Sequence, residues 1–309
     1  MSTYIYIIDD LVFFFVGIVI LYLFVLAVAS HFKRIVYPKA EKKYHCAILV
    51  PEESPLPVIY REESYEFFTY NDLHQGINTL DREHYQLVLI LSNTAISLSP
   101  LFLEKIYNAY DAGIQAIQLH TVIENRNRFR AICKEIKNSL FRAGNTQFGL
   151  SSNLSGTNMA IDLEWLQNNL RSSKTNIERK LFRKNVYIDY LPDAIVYCQS
   201  SPVHPYRRRL RKTASYFFPS LLEGNWNFCN RIVQHLIPSP LKMCIFVSVW
   251  TLLITGYNRA LSIGWWLILF GLLVTYSLAI PDYLVEDKKK KHSIWRKRHL
   301  SNELKKNPV

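Results

Sequence analysis

The sequence predicts an α/β domain that is held to a membrane by one N-terminal helix and a C-terminal helical hairpin. Between residues 37 and 240, short hydrophobic runs alternate with segments whose apolar residues recur at helical spacing, which is typical of α/β domains. Outside that region lie three apolar runs, Leu11–Ala29, Met243–Tyr257 and Ala260–Ile280. The first and third have close to the roughly 20 residues that cross a bilayer as a helix, and residues 237–241 would complete the second.

The first apolar run is predicted to be an uncleaved anchor. Signal peptides carry positive charge before their apolar core, whereas here Asp9 and Asp10 precede the run and Lys33 and Arg34 follow it. The lysines at 288–291 follow the last run in the same way. Because positively charged flanks stay in the cytoplasm, we expect an outer N-terminus, with residues 37–240 and the tail inside.

The strands of the α/β domain are predicted from short apolar runs that end at turn residues. They are Lys43–Pro51, Tyr65–Tyr70, Gln86–Leu91, Ile114–Val122 and a pair of short strands within Val186–Tyr197, about Pro192.

The helices are predicted from apolar periodicity and from their end signals. Ser99 would cap a helix that has Pro100 in its first position, continues over Leu101–Ala112 and ends at Gly113. A basic amphipathic helix over 125–143 would end at Gly144. Another would begin at Asp162, and residues 216–237 would form an amphipathic helix on the membrane surface. The predicted domains are 1–36 (anchor), 37–215 (α/β domain), 216–240 (interfacial helix), 241–281 (hairpin) and 282–309 (basic cytoplasmic tail).

The net charge of +12 is concentrated beside the apolar runs, mainly in 207–212 and 287–298. Such segments are typical of chains that face anionic lipid, so we expect a lipid bilayer as partner and no nucleic acid. The five cysteines are scattered and lack metal-ligand spacing, which excludes a disulfide framework and favours a reducing compartment.

Several blocks of the sequence together resemble membrane-bound glycosyltransferase family 2. They are Leu87–Thr94, Leu98–Glu104, Ala109–Gly113, Ile117–Leu119, Leu154–Ala160, Tyr187–Tyr197 and the basic Tyr206–Lys212. The resemblance implies a reduced GT-A-like, nucleotide-diphospho-sugar transferase domain. It also implies an inverting transfer of sugar from a nucleotide-sugar at the cytoplasmic face of a membrane.

The chain departs from that family at the polar positions that carry its chemistry. The family's metal-binding D-x-D falls on Ser92, Asn93 and Thr94, which lack the anionic oxygens that a hard divalent cation prefers. We therefore expect no metal cofactor; Mg or Mn would apply only to an active enzyme. The family's E-D turn, which holds the general base, falls on Thr175 and Asn176, leaving Glu178 as a displaced base or as a solvated helix residue.

Two further blocks are candidates for substrate binding. Gly156, Thr157, Asn158 and Met159 resemble the family's acceptor-side G-[ST]-x-M-[AF] motif. The family's Q-x-x-R-W falls on the basic run, where Arg208, Arg209 and Arg211 would contact a diphosphate or would simply face anionic lipid.

The donor-binding half is also short. In the family this half contains a strand, a helix and a second strand before the D-x-D strand is reached. A single βαβ unit alone takes about 30 or more residues, and here only forty residues separate Pro51 from Ser92. The two prolines within residues 52–57 are incompatible with the usual helix after the first strand. Asp72 and Glu53 are the only acids that would replace the lost nucleotide contacts.

These losses favour a chain that has kept the fold without canonical catalysis. It would act in bacterial cell-surface glycan synthesis as a multi-pass protein of the inner membrane, as partner or scaffold of an active glycosyltransferase or glycan assembly complex. One alternative is a metal-independent transferase that uses a nucleotide-sugar, with the three arginines on phosphate and Glu178 as base. Another is a binding module for a lipid-linked or polymeric glycan.

Overall fold

The computed structural model describes residues 2–32, 36–52, 54–59, 64–123, 128–170, 176–200 and 214–281. The chain divides into two compact units. Within the described ranges, a helical unit combines residues of the segments 1–27, 128–139 and 240–309, and an α/β unit combines residues of the segments 28–127 and 140–239.

The α/β unit is built on a mixed seven-stranded sheet in the order β2-β1-β3-β6-β5-β7-β4. The strands are β1 (Cys46–Pro51), β2 (Tyr65–Tyr70), β3 (Leu87–Ile90), β4 (Ala95–Leu98), β5 (Ala116–Ile123), β6 (Met159–Asp162) and β7 (Ile188–Cys198). β1 pairs in parallel with both β2 and β3, and β5 pairs in parallel with β7. β6 runs antiparallel between β3 and β5, and β4 runs antiparallel to β7.

The helices are numbered in chain order, and most of them lie between strands. They are α1 (Ser2–Ala29), α2 (Leu73–Asn78), α3 (Phe102–Asp111), α4 (Arg128–Asn138), α5 (Asn145–Gln147), α6 (Leu163–Asn169), α7 (Ile177–Arg183), α8 (Phe217–Leu222), α9 (Trp226–Leu236), α10 (Pro240–Tyr257) and α11 (Arg259–Leu278). A π-helical segment, Ser139–Gly144, connects α4 to α5.

The core of the α/β unit consists of two hydrophobic clusters that share the strands of the sheet. One cluster includes Ile77, Phe182 and Phe228, and the other includes Phe102 and Ile106. All residues of β3 and all but the last of β1 are buried, which explains why both strands are nearly continuous apolar runs in the sequence.

The predicted strands and the main helices are present, with shifts of a few residues at their ends. β4, β6 and α2 were not predicted, because each is short and lies in a polar stretch without clear periodicity. Val186–Tyr197 was predicted as two short strands, and that was wrong. It lies almost entirely within the single strand β7, whose register against β5 shifts between Leu191 and Ile195, so that Pro192 lies in a bulge.

Two of the predicted helix ends were also wrong. Ser99 does not cap α3; its hydroxyl donates to the Asp193 carbonyl (3.3 Å) and accepts from the Ile195 amide (3.0 Å), which ties it to β7. Gly144 does not end its helix, because its backbone is right-handed and α5 follows directly. Gly113 does have the left-handed conformation predicted for the end of α3 (φ 92°).

Among the described residues of the helical unit, three helices are long and apolar enough to cross a membrane: Tyr6–Ala29, Pro240–Tyr257 and Arg259–Leu278. A buried acid connects them. Asp9 Oδ1 accepts a hydrogen bond from the indole N–H of Trp250 (3.0 Å) and another from that of Trp265 (3.0 Å). Since α10 and α11 each supply one of these indoles, a single carboxylate joins α1 to both arms of the hairpin.

The segment predicted as one interfacial helix is two helices, α8 and α9. They are separated at Gly224, whose φ of 69° is left-handed, and Asn225 caps α9 by accepting from the Phe228 amide (3.1 Å). Phe228 and Ile232 of α9 pack into the core of the α/β unit. Large apolar side chains on the two helices remain exposed: Phe218, Leu222, Trp226 and Leu236.

A candidate active-site region with a neutral hydrogen-bond network

The polar corner after β3 is the position where the sequence predicted the remains of a metal site. The chain leaves β3 at Ile90, turns through Ser92, Asn93 and Thr94, and enters β4. Ser92 is 1% exposed, Asn93 is exposed and Thr94 is half-buried. The three positions therefore face different surroundings, and the first of them points into the protein.

Asn158 holds this corner from the opposite side of the site. Its Oδ1 accepts from the Ser92 amide (2.9 Å), and its Nδ2 donates to the Thr121 hydroxyl (2.9 Å) and contacts Cys198 Sγ (3.6 Å). The Ser92 hydroxyl also contacts Cys198 Sγ (3.4 Å). The structure thus joins two residues that the sequence predicted separately, one from the D-x-D position and one from the acceptor-side motif.

The backbone of the acceptor-side loop is held in the shape that this contact requires. Asn158 has a left-handed conformation (φ 54°), which asparagine tolerates better than most residues. Gln118 of β5 donates from Nε2 to the Asn158 carbonyl (2.9 Å). Its Oε1 accepts from the Ser155 amide (2.7 Å) and the Ser155 hydroxyl (3.1 Å). The hydrogen bonds of Gln118 therefore hold the backbone of this loop, and the side chain of Asn158 is held by its own hydrogen-bond partners.

The other residues of the predicted substrate-binding loop have different surroundings. Gly156 adopts φ 79°, a conformation that favours glycine, and Met159 is buried in β6 as part of the core. The Thr157 hydroxyl is buried without a hydrogen-bond partner among the described residues. Thr175, Arg208, Arg209 and Arg211 lie outside the described residues, as does Glu53.

The side chains at the corner do not fit a divalent cation bound to a diphosphate. They offer hydroxyls, an amide and a thiol, all neutral, whereas Mg²⁺ and Mn²⁺ in such sites prefer carboxylate oxygens. Within the described ranges, no cluster of three or more His, Cys, Asp or Glu side chains could hold a metal ion. What the corner can do chemically is donate and accept neutral hydrogen bonds, and Ser92 and Asn158 already use theirs on each other and on the sheet.

The position of the predicted general base is occupied by a helix cap. Asn176 is the N-cap of α7, and its Oδ1 accepts from the Arg179 amide (3.1 Å). Glu178 follows in the first turn of α7, where its Oε1 forms an ion pair with Arg231 of α9 (2.6 Å) and accepts from the Leu154 amide (3.1 Å). Both side chains of the pair are largely buried. Glu178 therefore links α7, α9 and the acceptor-side loop, and neither reading made from the sequence anticipated that role.

The sequence reasoning missed the polar residues of β5 that line the same region. Gln118 and Thr121 contact Asn158 and its loop, and His120 is buried with its Nδ1 2.6 Å from the Tyr190 hydroxyl. A signal for them was present, since three polar residues in a strand that is otherwise apolar must find buried partners. The sequence alone did not show which residues those partners are.

Asp72, considered for nucleotide contacts, is instead the N-cap of α2. Its Oδ1 accepts from the His74 amide (2.8 Å). This is the ordinary use of aspartate before a short helix.

Comparison with known proteins decides the family. The sequence model described as "Glycosyl transferase family group 2" matches residues 87–278, which is more than half of the chain and includes the corner, the acceptor-side loop, α7 and the hairpin. The chain belongs to this family.

The fold of this family group 2 chain is accordingly that of a nucleotide-sugar transferase with three candidate membrane helices. Among solved structures, it is similar to "Mannosyltransferase PcManGT from Pyrobaculum calidifontis in complex with GDP-Man and Mn2+", with 14% sequence identity and a TM-score of 0.49, over 91% of this chain and 98% of that chain. No curated protein matches the sequence. The assignment therefore rests on the family's sequence model.

Proposed function

We propose that this chain is a non-catalytic member of glycosyl transferase family group 2 that acts as a partner or scaffold in bacterial cell-surface glycan synthesis. The observation that carries the proposal is the set of contacts that Ser92 makes inside the protein. At the first position of the D-x-D motif, the backbone amide and the hydroxyl both point into a buried neutral network with Asn158 and Cys198. A metal-binding carboxylate must instead face the diphosphate of the donor.

Two further observations support the proposal. The base position carries Asn176, an amide that caps a helix and has no proton-accepting role near neutral pH. Glu178, the only displaced base that the sequence offered, is held in a largely buried ion pair with Arg231. The hydrophobic frame of the domain persists while the groups that would carry out the transfer are used for structure. This pattern is expected when the shape of the domain is still needed.

The proposed location is the bacterial inner membrane, with the α/β unit in the cytoplasm. The three apolar helices have the required length, and the sequence flanks 33–34 and 288–291 carry the positive charge expected on the cytoplasmic side. The exposed Phe218, Leu222, Trp226 and Leu236 of α8 and α9 precede the second span directly, which favours a position of these helices at the headgroup level.

Calorimetric titration of the purified full chain with nucleotide-sugars, with and without Mn²⁺, tests the proposal. We expect no saturable binding of UDP-glucose or GDP-mannose and no release of nucleoside diphosphate. A family member with an intact D-x-D motif, titrated in the same detergent, is the positive control. Micromolar donor binding together with sugar release would contradict the proposal and would favour the metal-independent transferase.

A variant extends this test to the base. If sugar release is observed and Glu178→Gln abolishes it, the displaced-base mechanism is correct and the chain is an enzyme. If no release is observed and the chain co-purifies with an active transferase of the same pathway, the scaffold function is supported. Saturable binding of a polymeric glycan without donor binding would instead establish the binding-module alternative.

A further inference from the structure

β2 forms one end of the seven-stranded sheet. Its inner side pairs with β1 over all six residues, from Cys46–Tyr65 to Pro51–Tyr70. In the part of the chain that the structure describes, no strand pairs with its other side. Such an edge presents a row of backbone donors and acceptors that another extended chain can use.

The register identifies the backbone groups that face outward. The Cys46 amide donates to the Ser64 carbonyl (3.1 Å), and the Glu52 amide donates to the Tyr70 carbonyl (3.1 Å). In a parallel pair, alternate residues of a strand bond to the same neighbour, so the even-numbered residues from 64 to 70 bond to β1. The amides and carbonyls of Tyr65, Phe67 and Thr69 therefore point away from the sheet.

The two edges of the sheet differ in whether another segment of the described chain hydrogen-bonds to them. At the β4 edge, the Val58 amide donates to the Ile96 carbonyl (2.8 Å) and the Leu98 amide donates to the Val58 carbonyl (3.0 Å), so the segment before β2 covers that edge. β2 has the sequence YEFFTY, without the proline or lysine that commonly blocks an exposed edge. Its one charged residue, Glu66, accepts from the Tyr85 hydroxyl (2.6 Å) and lies 3.7 Å from His84 Nε2.

The charge around β2 indicates what kind of chain it would bind. The described residues between 52 and 86 include five acidic residues and one basic residue, a net charge of −4 in a chain whose total is +12. Two such edges from two copies would repel each other, which argues against self-pairing. A positively charged strand would be attracted to this edge and steered toward it.

We infer that the outer edge of β2 binds an extended, positively charged segment of a partner polypeptide by β-strand addition. Backbone hydrogen bonds to Tyr65, Phe67 and Thr69 supply the affinity, and the acidic surroundings select the charge of the partner. The inference rests on the proposed function, because a protein that works as a partner or scaffold needs a surface on which to bind.

A synthetic peptide of alternating lysine and threonine, about eight residues long so that it spans the six residues of β2, is the probe. Binding is measured by fluorescence anisotropy on the full chain, and the amides that become protected are identified by hydrogen exchange. We expect saturable binding that weakens with added salt, and new protection of the amides of Tyr65, Phe67 and Thr69. The amides of Glu66 and Phe68 are protected by β1 with or without the peptide.

Thr69→Pro removes one outward amide and leaves the bonds to β1 in place, because the Thr69 amide does not face β1. We expect it to weaken peptide binding about fivefold or more, which corresponds to about 1 kcal/mol for one net backbone hydrogen bond. Thr69→Ala is the matched control, since it changes the same side chain and keeps the amide, and it should bind the peptide like the unaltered chain.

Three results would overturn the inference: an acidic peptide of the same pattern binds equally well, Thr69→Pro and Thr69→Ala bind equally well, or the chain forms dimers that Thr69→Pro dissociates. The donor titration is repeated on Thr69→Pro so that the two proposals can fail separately. Donor turnover would contradict the proposed function without affecting the peptide result. Absence of peptide binding in a chain that also binds no donor would contradict only the strand addition.

Discussion

Asn158 joins two segments of the site that lie 66 residues apart in the chain, through hydrogen bonds between uncharged groups. It satisfies the Ser92 amide at 2.9 Å and the Thr121 hydroxyl at 2.9 Å while it is itself fully buried. A buried polar group that loses its hydrogen-bond partner still carries the free-energy cost of its removal from water. Loss of the Asn158 side chain would leave the Ser92 amide in that state, and this determines how much the contact stabilises the fold.

Asn158→Ala should therefore lower the free energy of unfolding by about 2–4 kcal/mol, because the Ser92 amide loses its acceptor and the alanine must adopt a left-handed backbone. Denaturant unfolding of the detergent-solubilised chain measures this. Asn93→Ala is the control at an exposed neighbouring position and should change stability by about 0.5 kcal/mol or less. Equal effects of the two substitutions would show that the network does not stabilise the corner.

The ion pair between Glu178 and Arg231 makes a second prediction at this scale. Removing one partner leaves a charge in a largely buried position, so Glu178→Ala and Arg231→Ala should each destabilise the chain by about 3 kcal/mol or more. The loss of unfolding free energy in the double variant should be clearly smaller than the sum of the losses in the two single variants. A double-mutant cycle on unfolding free energies gives the coupling, and a coupling near zero would contradict the structural role of Glu178.

At the scale of elements, the three apolar helices are joined by polar contacts as well as by packing. Asp9 accepts from indoles on both α10 and α11, and Trp265 also stacks edge-on against Phe13 of α1, with the ring centroids 5.5 Å apart. Gly264 allows this approach, because a Cβ at that position would lie 3.0 Å from the Phe13 ring. α1 is therefore part of the helical unit as well as a candidate anchor.

Asp9→Leu should lower the melting temperature of the detergent-solubilised chain, because the indole N–H groups of Trp250 and Trp265 lose a shared acceptor at a cost of about 1–3 kcal/mol. Asp10→Leu is the matched control, since Asp10 is exposed on the same helix. Tryptophan fluorescence should shift only in the first variant. If Asp10→Leu destabilises the chain as much, the shared hydrogen bonds do not hold the helices together.

At the scale of the whole molecule, several tyrosine hydroxyls are tied to acids around the α/β unit. Tyr37, Tyr44, Tyr85 and Tyr110 donate to Asp189, Asp111, Glu66 and Asp162 respectively. Burial, together with these carboxylates, raises the pKa of each of the four hydroxyls, to about 12 for Tyr44 and Tyr85. Because the pKa of all four hydroxyls is raised, the free energy of unfolding of the α/β unit should depend on pH in the alkaline range.

A raised pKa means that the folded chain holds these protons more tightly than the unfolded chain, whose tyrosines titrate near 10. The contribution to stability is thus complete below pH 10 and is lost as the pH rises toward 12. Tyr85→Phe should make this loss less steep, because one of the linked protons is removed. Urea unfolding at intervals from pH 9 to 11.5 measures the slope, and identical slopes for the variant and the unaltered chain would contradict the assignment.

The strands that could be predicted most directly are those that are buried on both faces, because they consist of consecutive apolar residues. β1 and β3 are buried along their length and appear in the sequence as apolar runs, and the three apolar helices are equally evident. β4 and β6 were missed because four-residue strands in polar surroundings carry no local signal. The end of α3 at Gly113 could be predicted from glycine chemistry, whereas Ser99 was misassigned because its real partners lie in β7.

The sequence by itself determined the α/β class, the three apolar helices, the family resemblance and the absence of carboxylates at Ser92 and Thr94, since each depends on residue types and on spacing along the chain. Only the tertiary structure decided which groups surround Ser92 and what Glu178 and Asp9 do. Their partners lie 66, 53 and more than 240 residues away, and contacts between such distant residues depend on how the whole chain packs. The position of β2 at the end of the described sheet is likewise a property of strand order, which no local pattern encodes.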